Sequence, residues 1–321
     1  MTRRSAVPPP VTAVLDASSR WLPARMGEVE DMLRGEIGDH GELLGADAGA
    51  TLAAGGKRLR PMLVLLCAGA DGGEAAVRAA AAIELVHMAT LVHDDVLDEA
   101  PLRRGVPTVA ATSGRVRAVA TGDLLLARAF ALLAGAGDPR AVALLAGASV
   151  ALARGELAQR QDAFDLDVSE QRYLERCRLK TATLFECACL LGRSDDELRR
   201  FGSEVGLAFQ LLDDVLDVAG PPERTGKARG TDLLDGTVTL PLIEAVNRDR
   251  DIREVDLHGL DAESATALCD RIAATGALDA VRARALEMVD AGKRSLESAS
   301  FAPEQRQLLA LVADGVVQRY S

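Results

Sequence analysis

The sequence ELVHMATLVHDDVLD spans residues 84–98, and GLAFQLLDDVLD spans residues 206–217. The pentapeptide DDVLD thus occurs twice, and each copy ends a long apolar segment whose hydrophobic residues recur with the period of an α-helix. Because the surrounding sequences differ, the chain repeats a site and not a domain. Two acidic clusters at the ends of apolar helices predict a charged mouth on an apolar cavity.

Helical periodicity extends outward from these segments over almost the whole chain. Alanine and leucine dominate, aromatic residues make up 3% of the sequence, and no alternating strand pattern bounded by hairpin turns is present. Alanine and leucine lose little entropy in a helix, so this composition predicts an all-α fold. The expected helices cover residues 26–37, 42–53, 60–70, 75–99, 114–135, 138–162, 169–192, 195–219, 236–249, 261–275, 277–297 and 303–319.

We expect one all-α domain over residues 21–321, because the breaks between helices are short and no linker interrupts them. Residues 1–20 contain three consecutive prolines, and we expect them to form a disordered N-terminal arm. At 321 residues, the chain is long enough to bury a large core.

The net charge of −11 argues against a general nucleic-acid-binding protein, which needs a basic face to neutralise phosphates. No signal peptide is evident, and the longest uncharged stretch, residues 141–153, is too short to cross a bilayer. We therefore expect a soluble, cytoplasmic protein without a membrane anchor. The five cysteines form no CxxC pair, and we expect them to be small buried residues.

Each DDVLD copy places two carboxylates four residues apart on one helical face and a third beside them. Carboxylates crowded within one turn repel each other and require a cation in an apolar setting. Oxygen ligands select hard ions, and Mg²⁺ shares its shell readily with substrate phosphates. A solvated helix end explains one such motif, but two identical copies favour a metal-bridged diphosphate site. The metal-ligand candidates are Asp94, Asp95, Asp98, Asp213, Asp214 and Asp217.

Basic residues that could hold a diphosphate occur in compact groups near the acidic clusters. The sequence GGKRLRP at residues 55–61 combines three cations with two glycines, which let the backbone approach an anion closely. His87, seven residues before Asp94, lies on the same helical stripe, whereas His93 points elsewhere. The basic candidates are Lys57, Arg58, Arg60, Arg103, Arg104, Lys180 and Lys227.

Together, these segments resemble the trans-type polyprenyl (isoprenyl) diphosphate synthases. The resemblance runs from about residue 25 to the C-terminus and rests on motifs in the family's order: GGKRLRP, ELVHMATLVHDDVLDEAPLRRGVPT, GDLLLARAF, LKTATLF, FQLLDDVLD and TLPLI. It implies an isoprenoid-synthase-like helical bundle around a central apolar cavity. It also implies a homodimeric enzyme that joins isopentenyl diphosphate head to tail to an allylic diphosphate.

The resemblance further implies a role for each candidate. The residues that would hold isopentenyl diphosphate are Lys57, Arg60, His87 and Arg104. The allylic diphosphate would be bound through three Mg²⁺ ions on the six aspartates, for which Mn²⁺ could substitute. Its basic partners would be Arg103, Lys180 and Lys227. The catalytic set would be Asp94, Asp95, Asp98, Asp213, Asp214, Lys180, Thr181 and Gln210, of which the last two line the reacting centre.

The chain departs from the family at one basic position. Many members carry a lysine just before the VTLP stretch, where this chain has Thr237. This departure predicts weaker or differently shared binding of the allylic diphosphate, although the reaction should survive.

The resemblance also bears on product length. A growing product would run from Asp94 along its helix, and Ala89, five residues earlier, lies about 7.5 Å further down the helix axis. Short-chain relatives carry a bulky aromatic residue there, whereas Ala89 and Thr90 are small. We therefore expect a product of C20 or longer, with C20 to C35 favoured. The deeper candidates for the floor of the tunnel are Val86, Ile83 and Phe130.

Three other functions remain open from the sequence. A class I terpene cyclase shares the all-α fold and a first DDxxD, but its second metal motif typically mixes other residue types, and it has no use for GGKRLR. A non-catalytic subunit of a heteromeric synthase usually lacks some aspartates, and all six are present here. A helical protein that binds a diphosphate without transferring a prenyl group would have the site but not the reaction.

Overall fold

The computed structural model describes residues 9–18, 21–38, 41–103, 105–220, 229–299 and 301–318. Most of these residues are helical, and the all-α prediction is confirmed. The helices are α1 (Pro9–Ala17), α2 (Trp21–Gly38), α3 (Gly41–Ala53), α4 (Leu59–Ala68), α5 (Gly73–Leu97), α6 (Val109–Ser113), α7 (Arg115–Gly135), α8 (Pro139–Gln161), α9 (Glu170–Cys177), α10 (Thr183–Gly192) and α11 (Asp196–Ala219). The helices that follow are Thr231–Leu234, Leu240–Arg248, Arg250–Arg253, Ala262–Ala274, Ala277–Ser298 and Pro303–Gln318.

Helix α5 lies at the centre of the bundle and packs against α2, α4, α7 and α10. Its alanine-rich middle, including Ala80, Ala81 and Ala82, is fully buried, because small side chains let neighbouring helices approach closely. Helix α11 packs against α10 and Ala277–Ser298. As expected, α5 and α11 each end within the last residues of a DDVLD copy or just after it.

The expected disordered arm over residues 1–20 is wrong for residues 9–17, which form α1. Helix α1 begins with Pro9 and Pro10, which are tolerated in a first helical turn because its N–H groups have no intrahelical partner. Val14 is buried, and α1 packs against the C-terminal helix Pro303–Gln318. The folded domain therefore begins before residue 21.

Two predicted helices differ from the structure. The segment 169–192 contains a π-helical turn, Arg178–Ala182, between α9 and α10. The helix expected from residue 236 begins at Leu240, because Thr239 is an N-cap with extended backbone and Pro241 is accommodated in the first turn, where its missing N–H removes no intrahelical bond.

A short hairpin after α5 was not predicted either. Strands β1 (Leu102–Arg103) and β2 (Val106–Pro107) pair antiparallel. Gly105 lies between them with a φ of 75°, which favours glycine. The hairpin turns the chain back toward α5, so that Arg103 contacts the first acidic cluster.

Glycines bring α8 and α11 against the π-helical turn without a gap. A Cβ atom on Gly155 of α8 would lie 2.6 Å from the backbone nitrogen of Lys180. A Cβ atom on Gly206 of α11 would lie 2.7 Å from Cα of Ala182. Larger residues at either glycine would displace this turn, which carries Lys180 and Thr181. Such π-helical turns occur frequently at functional sites.

Three helical segments are long and apolar enough to cross a membrane, judged by length and composition: Ala70–Leu97, Arg115–Gly135 and Pro139–Gln161. The first of them is mostly buried inside the bundle, and the other two leave more of their apolar surface exposed. The cysteine prediction is confirmed, because Cys67, Cys177, Cys187, Cys189 and Cys269 are all buried free thiols.

A buried ion pair fixes the segment before α4. Arg58 donates from Nη1 to Glu84 of α5 at 2.7 Å and from Nε to Glu30 of α2 at 2.6 Å. The Glu84 side chain is only 3% exposed, so its charge depends on this partner. Arg58 therefore ties the basic segment 55–61 to two helices.

We predict that Glu84→Ala lowers the free energy of unfolding by about 3 kcal/mol, because it leaves a buried guanidinium short of a partner. The matched control is Glu74→Ala, which removes the exposed pair with Arg78 on the same helix. It should cost about 0.5 kcal/mol or less. Chemical denaturation of both variants measures the difference, and equal losses would contradict the structural role of the Arg58–Glu84 pair.

Candidate active site

A cavity of about 530 Å³ extends from the end of α5 into the bundle. Asp94, Glu156 and Lys180 line it where α5, α8 and the π-helical turn meet. The remainder of its wall is largely apolar and comes from α5, α7 and α8. The apolar and small lining residues include Val86, Ala89, Thr90, Leu126, Ser149 and Leu152. The cavity therefore joins a charged mouth to an apolar interior, as the sequence predicts.

The first acidic cluster is held by arginines. Arg103 donates from Nε to Oδ1 of Asp95 at 2.7 Å. Arg160 of α8 pairs with Asp98. Burial raises the pKa of Asp94 to about 6, and although Lys180 opposes this effect, the charges of Glu156 and Asp98 add to it. The cluster thus has more negative charge than its basic neighbours offset.

Lys180 lies between two carboxylates at the cavity mouth. Its Nζ atom is 2.5 Å from Oε2 of Glu156, and Asp94 is close enough to act on it electrostatically. Burial lowers the pKa of Lys180, but Asp94 and Glu156 outweigh burial, and the net pKa is raised. Lys180 is therefore a fixed cation beside Asp94.

The second acidic cluster places its three carboxylates in different surroundings. Asp214 is 3% exposed, and burial, with the nearby charge of Asp232, raises its pKa to about 8. Asp217 accepts a hydrogen bond at Oδ2 from the backbone nitrogen of Asp232 at 3.2 Å. Asp213 is close enough to Arg60 to oppose, through its charge, the lowering of the Arg60 pKa by burial. These contacts link the cluster to α4 and to the segment after α11.

Thr181 and Gln210 meet beside Asp214. The Thr181 hydroxyl donates to Oε1 of Gln210 at 2.7 Å, and Nε2 of Gln210 donates to Oδ1 of Asp214 at 2.7 Å. The family resemblance implied that these two residues share one centre although they are 29 positions apart, and in the structure their side chains are hydrogen-bonded.

Arg60, in the basic segment 55–61, lies against Phe185 and within electrostatic reach of Asp213 in the second acidic cluster. The Arg60 guanidinium stacks over the Phe185 ring at 4.7 Å, and burial lowers its pKa to about 10 although Glu84 and Asp213 oppose this effect. Its Nε atom is buried and has no hydrogen-bond partner among the described residues. Such an orphaned donor fits an anionic ligand such as a diphosphate.

A second cavity of about 210 Å³ lies on the other side of α5. His87, Asp95 and Arg103 line it together with Gly55 and Arg58. The expectation that His87 shares the cavity of Asp94 is therefore wrong, since His93 lines that cavity instead. Lys57, in the same segment as Gly55, is half-buried. Arg104 and Lys227 lie outside the described residues, so their predicted roles stay predictions.

The donor set fits a hard divalent cation. The two clusters offer carboxylate oxygens, and burial, with the charges of Glu156 and Asp98, raises the pKa of Asp94, which a bound cation would lower. Within the described ranges, no three His, Cys, Asp or Glu side chains converge on one point. This arrangement suits Mg²⁺, which takes one or two carboxylates and completes its shell with water and substrate phosphate.

The chain is similar to known proteins in sequence and in fold. The family described as polyprenyl synthetase matches residues 42–269. The chain belongs to the polyprenyl synthetase family. Heptaprenyl diphosphate synthase component 2 of Geobacillus stearothermophilus is 42% identical over 246 residues, which make up 74% of this chain and 77% of that relative. Octaprenyl diphosphate synthase of Escherichia coli (strain K12) is 36% identical over 283 residues, 84% of this chain and 87% of that relative.

A solved member of the polyprenyl synthetase family has the same fold. The crystal structure of polyprenyl synthase from Caulobacter crescentus CB15, complexed with calcium and isoprenyl diphosphate, matches with a TM-score of 0.90 and 35% identity. The match covers 96% of this chain and 98% of that chain. The resemblance inferred from the motifs is confirmed, and the chain is a prenyltransferase of the polyprenyl diphosphate synthase type.

Within this polyprenyl synthetase site, sequence reasoning missed Glu156, Arg160 and Tyr173. Glu156 contacts Lys180, Arg160 contacts Asp98, and Tyr173 donates a hydrogen bond to Asp214. The only signal in the sequence was that all three residues lie on helices that precede the LKTATLF motif. A charged or aromatic residue on an amphipathic helix is usually a surface or core residue, so this signal is weak.

We predict that the metal-free synthase loses stability through Asp94 as the pH rises. A folded-state pKa of about 6, above the usual 3.8, means that the folded protein holds this proton more tightly. The free energy of unfolding should therefore fall by about 2 kcal/mol between pH ~4 and ~7. Asp94→Asn should remove this fall.

Denaturation in chelator at several pH values measures this effect. The control is Asp290→Asn, which removes an exposed carboxylate on helix Ala277–Ser298 and should leave the pH dependence as in wild type. If the free energy of unfolding depended on pH equally in wild type and Asp94→Asn, the folded protein would not raise the pKa of Asp94, and the prediction would be wrong.

Proposed function

We propose that this protein condenses isopentenyl diphosphate head to tail with an allylic diphosphate and releases a trans polyprenyl diphosphate of C20 or longer. The observation that carries the proposal is the cavity of about 530 Å³, which has Asp94 and Lys180 at its mouth and an apolar wall behind them. A diphosphate at the mouth and a prenyl chain in the interior would match both halves of this cavity.

The reaction follows from where the charges lie. Lys180, Arg103 and Lys227 would bind the allylic diphosphate, while Arg60, Lys57, His87 and Arg104 would bind isopentenyl diphosphate. Bound Mg²⁺ would supply positive charge that stabilises the departing diphosphate. The oxygens of Thr181 and Gln210 would lie against the allylic carbon as it gains positive charge. The apolar wall would exclude water from that carbon.

The metal requirement is part of the same proposal. We expect three Mg²⁺ ions with substrate bound, held by Asp94, Asp95, Asp98, Asp213, Asp214 and Asp217 directly or through their neighbours, and we expect Mn²⁺ to substitute. The Caulobacter crescentus relative, which was crystallised with calcium and isoprenyl diphosphate, supports a divalent cation at this kind of site. Thr237 is half-buried and supplies no cation, so the other basic residues would carry the allylic diphosphate.

We predict that Asp213→Ala lowers turnover at least a hundredfold, because the variant removes a proposed metal ligand. The circular dichroism spectrum should stay helical, because the variant removes a clustered like charge but no core packing. The assay measures pyrophosphate release by the purified chain with both diphosphates and Mg²⁺. Asp290→Ala is the control and should keep wild-type turnover. Near-normal turnover of Asp213→Ala, or full wild-type turnover in excess chelator, would refute the proposed metal site.

The proposal on product length rests on the apolar part of the 530 Å³ cavity, which we interpret as the product tunnel. Val86, Ala89 and Thr90 line the cavity beside Asp94, as expected for residues along a growing chain. Leu126 of α7 lines it opposite, and Phe130 lies one helical turn further, partly buried against the core. The relatives include synthases named for heptaprenyl, octaprenyl and geranylgeranyl diphosphate, which supports a product of C20 or longer.

We predict that Ala89→Tyr shortens the product by at least one C5 unit, because the ring would fill the cavity next to Asp94. Ala89→Ser is the matched control, since it adds one atom at the same position and should keep the wild-type product. Chromatography of labelled products after complete reaction measures the distribution. An unchanged distribution in Ala89→Tyr would place the floor of the tunnel elsewhere.

We also propose that the protein is a cytoplasmic homodimer. Helices α7 and α8 expose large apolar side chains, including Val116 at 85% and Val150 at 61%, which a second copy would cover. The relative named heptaprenyl diphosphate synthase component 2 supports a different possibility, a partner of another sequence and a non-catalytic role for one chain.

We predict that the purified chain alone sediments at twice its mass of 33.8 kDa. Val150→Asp should shift it to the monomer, because a carboxylate would be buried in the interface. The control Leu286→Asp alters an exposed leucine on helix Ala277–Ser298 and should leave the dimer intact. A monomeric wild type would favour the heteromeric alternative.

A further inference from the structure

A buried chain of hydrogen bonds leads from α9 to the reacting centre. The Tyr173 hydroxyl donates to Oδ2 of Asp214 at 2.5 Å. Nε2 of Gln210 donates to Oδ1 of the same carboxylate, and Oε1 of Gln210 accepts from Thr181. Tyr173 is 1% exposed and Asp214 is 3% exposed, so water does not compete for the bond between them.

This chain determines which way the Gln210 amide points. In the structure, Asp214 accepts at both carboxyl oxygens, at Oδ2 from the Tyr173 hydroxyl and at Oδ1 from Nε2 of Gln210, so it holds the NH₂ end of the amide. The amide oxygen must then point away from Asp214, toward Thr181. If the amide were reversed, its oxygen would face the carboxylate, and its NH₂ group would face the centre where positive charge develops.

Tyr173 packs against Arg176, a side chain that is itself held by two hydrogen-bond partners. The guanidinium of Arg176 lies 5.4 Å from the centre of the Tyr173 ring. Arg176 donates to Asp162 at the end of α8 at 3.1 Å and to the carbonyl oxygen of Val238. Arg176 and Asp162 are both almost fully buried, so this pair has a fixed geometry. The Tyr173 hydroxyl is thereby held at one position relative to Asp214.

We propose that Tyr173 is a positioning residue, which orients Asp214 so that the Gln210 amide presents its oxygen to the allylic carbon. This inference rests on the proposed function. Each oxygen of Asp214 accepts a hydrogen bond from the protein. Of the six aspartates proposed above for the metal site, Asp214 would therefore contribute through Gln210 and its neighbours, while Asp213 and Asp217 would bind the metal directly.

Tyr173→Phe tests the positioning role with the smallest possible change. The variant keeps the ring and its contact with Arg176 but removes one hydrogen bond to a carboxylate. We expect kcat to fall about tenfold, while the KM for each diphosphate and the half-saturating Mg²⁺ concentration stay within about twofold of wild type. The matched control is Thr121→Val, which removes a buried hydroxyl without a hydrogen-bond partner among the described residues and should keep wild-type kinetics.

Asp214→Asn gives a second, sharper test. The new amide can donate to Gln210 and would favour the reversed Gln210 amide, so we expect kcat to fall more than in Tyr173→Phe, again with unchanged Mg²⁺ half-saturation. In the double variant, Tyr173→Phe should add little further loss, because the two residues act on one amide. Additive losses, an unchanged kcat in Tyr173→Phe, or a raised Mg²⁺ requirement in Asp214→Asn would each overturn the proposal.

A readout without turnover keeps this inference distinct from the proposed function. In protein labelled with ¹⁵N-glutamine, the side-chain amide of Gln210 can be assigned by its loss in Gln210→Asn. Its hydrogens should exchange slowly in wild type and markedly faster in Tyr173→Phe. An unchanged exchange rate would refute the positioning role even if the enzyme is active. An inactive wild type with the expected exchange rates would refute the proposed function alone.

Discussion

Carboxylates placed at the mouth of an apolar cavity repel each other and lose their hydration, and the arrangement around this cavity follows from that constraint. Each carboxylate of the first cluster is close to a cation that another element supplies: Arg103 from the hairpin for Asp95, Arg160 from α8 for Asp98, and Lys180 from the π-helical turn for Asp94. The offset is incomplete, since the pKa of Asp94 remains raised. A bound metal and diphosphate would therefore enter a site whose charges are already arranged for them.

The fold serves this mouth by bringing distant segments into close contact. Gly155 lets α8 touch the backbone at Lys180, and Gly206 lets α11 touch Ala182, so the π-helical turn is held on both sides. The same helices continue into the apolar wall, where Ala89 and Thr90 leave room beside Asp94. The charged mouth and the apolar wall of the cavity are thus formed by the same helices. A substitution that moves α5 or α8 should therefore affect both diphosphate binding and product length.

Repeated and periodic features of the sequence predicted most of the fold and the acidic part of the site. The two DDVLD copies located Asp94 and Asp213, and helical periodicity located α5 and α11. Features that depend on a single tertiary contact could not be predicted. From the sequence, Tyr173 would be interpreted as a core aromatic residue, but its hydroxyl donates a hydrogen bond to Asp214. Arg58 would be interpreted as a phosphate ligand, but it forms an ion pair with Glu84. The expected disorder was wrong for Pro9–Ala17 for a similar reason, because α1 packs against a helix nearly 300 residues away.

The most direct test of this account is the product formed by the purified chain alone. Labelled isopentenyl diphosphate would be supplied with C5, C10, C15 or C20 allylic primers and Mg²⁺, and the products would be separated by chain length. The account predicts all-trans diphosphates of C20 or longer, which do not form in excess chelator. Products that stop at C15, or no product from any primer with Mg²⁺ present, would contradict it.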